Sequence, residues 1–330
     1  MKSATLYRYD LPMDSGVILR QERLSVRSGF ILELKHDDIL ARGEVAPLPG
    51  FSHESLEQAG AQLQTQLEHW LKDEPIDFDT LYPSVAFGLS IALDELSGRL
   101  PIEGNYQVAP LCNGDPDELL AQLSELSGDK VAKIKVGLYE PIRDAMMVNL
   151  FLESIPDLSL RLDANRAWTP DKAEQFARKI PPSRRGRIAY LEEPCHHPGD
   201  SLAFAIDTGI AIAWDETLQD ALHHSHFDLS DLTGAKVIVI KPTLIGSTER
   251  CRMLVEKAAT LGIKAVISSS LESSLGLNLL ARMAYWLTPE QVPGLDTVSL
   301  FKAQLDQPWP DCLLDITPLH DQTRVWHQTV

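Results

Sequence analysis

"VAKIKVG", residues 131–137, sets Lys133 and Lys135 two positions apart in an otherwise apolar, β-branched run. A strand alternates its faces, so both lysines point to the same side. On a solvated edge strand the pair would be ordinary. In a buried parallel strand, where both faces are normally apolar, two ammonium groups need partners. The neighbouring sequence decides between these readings.

Comparable short runs recur between about residues 108 and 300: "VAPLCNG", "LSLRLDANRAW", "RIAYLEEP", "IAIAWDET", "AKVIVIKPT", "KAVISSS" and a weaker "PGLDTVSL". Between them lie segments with helical spacing and helix punctuation. "TPDKAEQFARKI" opens with Thr169 as N-cap and Pro170 at the first helical position. "GSTERCRMLVEKAATLG" opens at Gly246 and Ser247 and stops at Gly262, where a C-terminal glycine belongs. Strands alternating with helices imply a parallel sheet with crossover helices. About eight strands favour a (β/α) barrel of roughly 200 residues or more. An open doubly wound sheet is the alternative, but no GxGxxG or phosphate-loop motif follows the first strand.

Residues 1–100 read differently. "GVILRQERLSVRSGFILELKHDDILARGEVAPLPG" has the turns and apolar runs of antiparallel strands, and "SHESLEQAGAQLQTQLEHWLKD" and "SVAFGLSIALDELSG" are helical. The expected organisation is therefore an N-terminal α+β domain over 1–100, a barrel over 101–302, and a tail from about 303 to 330 that packs on the first domain. The segment 219–235, "QDALHHSHFDLSDLTGAK" with its flanks, fits this pattern least.

With 330 residues, 44% of them hydrophobic, the chain has the composition of a globular protein. A formal charge of −17 excludes a general nucleic-acid or anionic-membrane binder, although a small anion could still meet local positive charge. Cys112, Cys195, Cys251 and Cys312 show no CxxC spacing and suit a reducing compartment. Without an apolar leader or a run of transmembrane length, a cytoplasmic location is expected.

At the C-terminal ends of barrel strands, where active sites are built, the successive runs offer a non-random set. Lys133 and Lys135 lie on the second strand, Asp163 and Asn165 end the third, and Glu192 and Glu193 the fourth. Asp215 and Glu216 end the fifth, Lys241 the sixth, and Ser268, Ser269 and Ser270 the seventh. Any one carboxylate could simply cap a helix or pair with a lysine. Three on adjacent strands, flanked by lysines, call for a hard divalent cation with oxygen ligands, Mg²⁺ above all. "EEPCHH" is a poor soft-metal site, because adjacent residues cannot easily share one ion. "HHSH" at 223–226 reads as a polar surface loop.

Lys-x-Lys, then Asp, Glu and Asp on three successive strands, then Lys, resembles the enolase superfamily in its muconate-lactonising subgroup. "KVAKIKVGLYE", "LRLDANRAWTP", "LEEPC", "AIAWDE", "VIKPTL" and "AVISSSLESSLGL" carry the resemblance, together with "APLCNGDPDEL" and the N-terminal "GEVAPLPGFSHES". It implies a barrel of enolase-superfamily type, (β/α)7β, with an N-terminal α+β capping domain. It implies Asp163, Glu192 and Asp215 as Mg²⁺ ligands, with Mn²⁺ as a substitute, and Lys135 as general base. Lys133 and burial would lower the pKa of Lys135, and Lys241 would be a cation–π partner. Arg161, Asn165, Ser268, Ser270 and Gly294 would contact the substrate or support the metal shell, Gly294 by allowing close approach.

The reaction implied is a lyase reaction of the menaquinone pathway. It is the syn dehydration of 2-succinyl-6-hydroxy-2,4-cyclohexadiene-1-carboxylate through an enediolate, which leaves an aromatic ring. The partner is thus a small anionic carboxylate, and a monomer would suffice. N-succinylamino acid racemisation shares the same lysines and ligands. Dipeptide epimerisation calls for an Asp-x-Asp pair that Asp296–Thr297–Val298 does not supply. A Schiff-base aldolase using Lys135 or Lys241, or a non-catalytic binding protein, would leave the carboxylate trio without a purpose.

Overall fold

A computed structural model describes residues 1–330 apart from 15, 20–21, 113–115, 127–129 and 225. The chain divides into two compact units, one of residues 1–106, 240–255 and 267–330, the other of residues 107–239 and 256–266.

The first unit is built on an antiparallel sheet. Strand β1 (Lys2–Pro12) pairs along its whole length with β2 (Val26–His36), and β2 returns through Asp37–Asp38 into β3 (Ile39–Val45). Asp37 has φ +55°, a conformation that a turn aspartate tolerates. Phe30, Leu32 and Leu34 alternate toward two helices, α1 (Leu56–Leu71) and α2 (Pro83–Leu96). Helix α1 meets them with Ala59, Leu63 and Leu67, spaced by four, and α2 with Val85, Leu89 and Ala92. Ser55 and Gln58 close α1 with a reciprocal capping box. The second helix crosses very close to β3: a Cβ at Gly43 would lie 1.9 Å from the Gly88 carbonyl oxygen.

The same unit holds a buried polar cluster. Arg27 donates Nε to the Leu271 carbonyl at 2.9 Å, Nη1 to Pro47 and Ser28, and Nη2 to Ala46 and Ser270. Glu44 accepts from the Tyr9 hydroxyl at 2.6 Å and from both the amide and hydroxyl of Ser273. Glu272 accepts from the Thr243 hydroxyl and the Ser270 amide, each at 2.6 Å. These bonds hold Leu271 at φ +60°, an unfavourable conformation for a leucine.

A parallel sheet of seven strands is formed among the described residues, all within the second unit except Ile240 and Ile267: β4 (Leu111–Cys112), β5 (Val131–Lys135), β6 (Ser159–Asp163), β7 (Ile188–Glu192), β8 (Ile212–Trp214), β9 (Val237–Ile240) and β10 (Lys264–Ile267). They lie side by side in chain order, and proline at the first helical position opens the connecting helices at 141, 170 and 198. The expected Thr169 cap is present and accepts from the Lys172 amide. Gly262, at φ +70°, follows the helix Thr248–Thr260 as expected.

Seven of the eight expected runs are strands. The eighth, "PGLDTVSL", is reduced to an isolated parallel bridge between Gly294 and Ser268, followed by a 3-10 turn at Val298–Leu300. Asn113 and Gly114 of the first run lie outside the described residues. In the 219–235 segment, where Ser225 is also outside them, the chain forms a 3-10 turn at Leu229–Leu232, closed by Asp228 and Asp231. The C-terminal strand β11 (Thr323–Thr329) pairs antiparallel with β1. No helix among the described residues is long and apolar enough to cross a membrane.

Candidate active site

Register explains how the lysines are accommodated. Lys133 pairs with Arg161 and Lys135 with Asp163 across β5 and β6, and Arg161 pairs with Tyr190 and Asp163 with Glu192 across β6 and β7. Cross-strand partners share a face, so one layer holds Lys133, Arg161 and Tyr190, and the next holds Lys135, Asp163 and Glu192. Tyr190 packs with Ala213, Val237, Val239 and Val266, which identifies this face as a buried one. The Arg161 guanidinium sits 5.4 Å from the centre of the Tyr190 ring.

Lys133 Nζ bridges the layers, 3.0 Å from Asp163 Oδ2 and 2.7 Å from Glu192 Oε2. Burial opposes its charge, but Asp163 and Glu192 outweigh burial and hold its pKa well above the ordinary lysine value. Glu192 is pushed up to about 8, by burial first and then by the Asp163 and Asp215 carboxylates, against the opposing pull of Lys133. Lys135 differs from expectation. As the last residue of β5 it lies beyond the packed layer and is exposed.

Asp163 Oδ1 accepts from the Asn165 amide at 3.1 Å, and Asp215 Oδ1 from Gln219 Nε2 at 2.7 Å. Asp163, Glu192 and Asp215 are all buried. Among the described residues no three acidic, histidine or cysteine side chains are gathered into a finished metal cage, and Asp163 and Glu192 are joined through Lys133 instead. The donor set nevertheless fits a hard cation: three buried carboxylates end adjacent strands, and their mutual repulsion contributes to the raised pKa of Glu192. Asn165 is exposed at φ +44° and donates to Glu216 Oε1 at 3.2 Å.

Glu193 points away from this layer, although its sequence position looks equivalent to that of Glu192. Its Oε1 accepts from the amides of Asp215 (2.9 Å) and Thr217 (2.8 Å), and its Oε2 from the Thr217 hydroxyl (2.8 Å) and Arg166 Nε (3.1 Å). Sequence reasoning missed Tyr190, Arg166, Thr217 and Gln219. Tyr190 was recoverable, since it lies two residues before Glu192 on the same face. Gln219, four residues after Asp215 on a helix, carried a weaker signal.

Lys241 directly follows β9 and precedes the short helix Pro242–Ile245. It belongs to the first compact unit, as do Ser268, Ser270 and Gly294. Ser268 Oγ donates to the Gly294 carbonyl at 3.1 Å, and Ser269 Oγ lies 2.9 Å from the Thr297 hydroxyl. Ser270 Oγ is buried with no hydrogen-bond partner among the described residues. The space that a side chain at Gly294 would need is already filled: a Cβ there would lie 2.7 Å from Ser268 Oγ. His196 and His197 are exposed and Cys195 is buried, its thiol pushed by burial up to about 11.

The family model described as MenC, N-terminal domain, matches residues 1–96, and the one described as Enolase C-terminal domain-like matches residues 118–310. An o-succinylbenzoate synthase of Vibrio cholerae is 65% identical over 326 residues, covering 99% of this chain and 98% of the relative. That of Aliivibrio salmonicida is 59% identical over 99% of both chains. A crystal structure of o-succinylbenzoate synthase from Thermosynechococcus elongatus, described as complexed with Mg in the active site, superposes with a TM-score of 0.72. It is 24% identical and covers 94% of this chain and 96% of that one.

Proposed function

The chain belongs to the o-succinylbenzoate synthase family of the enolase superfamily, and on that premise we propose how its own residues divide the work of the dehydration. The fold is an α/β barrel type with an N-terminal α+β domain, and the activity is that of a lyase in menaquinone biosynthesis. The observation that carries the residue assignment is the bridge from Lys133 to Asp163 and Glu192.

Because two carboxylates keep Lys133 charged, it is a poor proton acceptor; it serves as a fixed cation beside the substrate carboxylate. Lys135 shares its face without sharing those ion pairs, and is assigned the proton transfer. It removes the proton α to the carboxylate and returns it to the hydroxyl departing from the same side of the ring. Asp163, Glu192 and Asp215 would hold Mg²⁺, or Mn²⁺ in its place, supplying positive charge against the second negative charge that develops on the carboxylate. Lys241 is assigned the cation that faces the ring, and Arg161, Asn165, Ser268, Ser270 and Gly294 the contacts to substrate or ligands. All of these come from one chain, so the reading needs no second copy; we place the reaction in the cytoplasm.

The test follows the diene absorbance of the cyclohexadiene substrate with Mg²⁺ and again with excess EDTA. Metal-dependent loss of absorbance with o-succinylbenzoate as product supports the assignment. Turnover that survives EDTA would remove Asp163, Glu192 and Asp215 as metal ligands. Turnover retained in Lys135→Ala would remove the proposed base.

A further inference from the structure

Past the ends of β6 and β7 the chain does not splay apart. The segments 163–168 and 192–196 continue side by side, with Ala164 N donating to Glu192 O (3.1 Å), Arg166 N to Glu193 O (2.7 Å), Trp168 N to Pro194 O (3.2 Å) and His196 N to Trp168 O (3.1 Å). This ladder passes through three residues in the left-handed region, Asn165 (φ +44°), Arg166 (φ +59°) and Glu193 (φ +42°). None is glycine, so the surroundings must hold them there.

On the other side, the main-chain ladder between β7 and β8 reaches its last rung with Glu193 N donating to Ala213 O at 3.2 Å. Beyond it the Glu193 carboxylate takes the place of a strand, with Oε1 receiving the amides of both Asp215 and Thr217. Arg166, from the β6 end, fixes the other oxygen through Nε, and also donates Nη2 to the Thr217 hydroxyl at 3.0 Å and pairs Nη1 with Asp220 at 2.9 Å. One buried carboxylate thus ties together the three strand ends that carry Asp163, Glu192 and Asp215.

We infer that Glu193, locked by Arg166 and Thr217, is a positioning residue that sets the main chain of Asp215 and thereby tunes how tightly the carboxylate trio takes a divalent cation. The inference rests on the assignment of that trio as metal ligands. Both Glu193 oxygens are taken up by protein donors, so its assigned role is positioning rather than ligation. Outer partners of this kind typically alter metal affinity by about ten- to a hundred-fold.

The experiment titrates Mn²⁺ into the full-length protein, following the six-line electron paramagnetic resonance signal of the free ion, with circular dichroism to check folding. Asp215→Asn serves as the reference. Glu193→Gln keeps an acceptor for the two amides but sets an amide against Arg166, and Thr217→Val removes the hydroxyl at almost constant volume. Both should weaken Mn²⁺ binding by about ten-fold or more, and Thr217→Ser should restore it. At saturating Mn²⁺, kcat of Thr217→Val should return to near the unsubstituted value, which a general loss of structure would not allow. If Asp215→Asn loses Mn²⁺ binding while Glu193→Gln and Thr217→Val bind normally, the positioning role is overturned and the ligand assignment stands. If Asp215→Asn binds normally, the ligand assignment falls and the inference falls with it. Should Glu193→Gln not fold, Thr217→Val and Thr217→Ser decide alone.

Discussion

Arg27 and Lys133 are both cations held mostly out of water, but their company differs. Arg27 donates to five main-chain carbonyls, and the nearby carboxylates Glu44 and Glu272 are met by hydroxyls and amides. The charged groups in that cluster are satisfied by dipoles that the fold itself supplies. Around Lys133 the named side-chain partners are themselves charged. It serves both Asp163 and Glu192, and Asp215 ends the next strand with an amide donor from Gln219. A buried charge is tolerated when partners compensate it. In the first cluster each carboxylate is met by hydroxyl and amide donors, whereas in the second Asp163 and Glu192 share one ammonium and the three carboxylates end adjacent strands, an arrangement that suits a cation. Burial of charge alone does not distinguish a structural cluster from a reactive one; the kind of partner does.

That contrast can be broken by substitution. The largest effect is expected at Lys135→Ala, where turnover should fall by about 10²–10⁴-fold or more, while the urea midpoint stays put because the side chain is exposed. A matching loss of stability would mean that Lys135 is structural. Arg27→Met should do the reverse. Stranding several buried carbonyls, it should lower unfolding free energy by roughly 2–4 kcal/mol, yet leave Mn²⁺ affinity within about two-fold if the clusters act independently. Outside both clusters, Thr169→Ala removes only a helix cap and should cost about 1 kcal/mol in thermal or urea unfolding.

The smallest effect concerns the thiols. Burial raises Cys195 to about 11 and Cys251 to about 12. Both therefore remain protonated at pH 8, below their raised values, and a thiolate-directed disulfide reagent should label them only after unfolding. Rapid labelling of either in the native protein would show that its surroundings open.

Much of this was legible in the residues. Short apolar runs alternating with helical segments identified the barrel strands, and the strand-end rule picked out Lys133, Asp163, Glu192 and Asp215. Other features left no such mark. Strand β1 was overlooked because "KSATLYRYDLP" mixes polar and apolar residues on both faces. Strand β11 was overlooked because its residues are exposed or only partly buried, so no face had to be apolar. The run "PGLDTVSL" had the composition of a strand, but it pairs only at Gly294.

Lys133 and Lys135 were equivalent as letters, as were Glu192 and Glu193. Local chemistry, which depends on residue type and spacing along the chain, determined that lysines and carboxylates would end consecutive parallel strands, and the resemblance of that set to the enolase superfamily implied the class of reaction. Only the tertiary structure decided which lysine is pinned by carboxylates and which stands exposed, and which glutamate joins the charged layer and which braces its neighbours. Those outcomes depend on cross-strand register and on a left-handed turn at Glu193. Both are set by contacts between segments distant in sequence, which no stretch of the chain carries by itself.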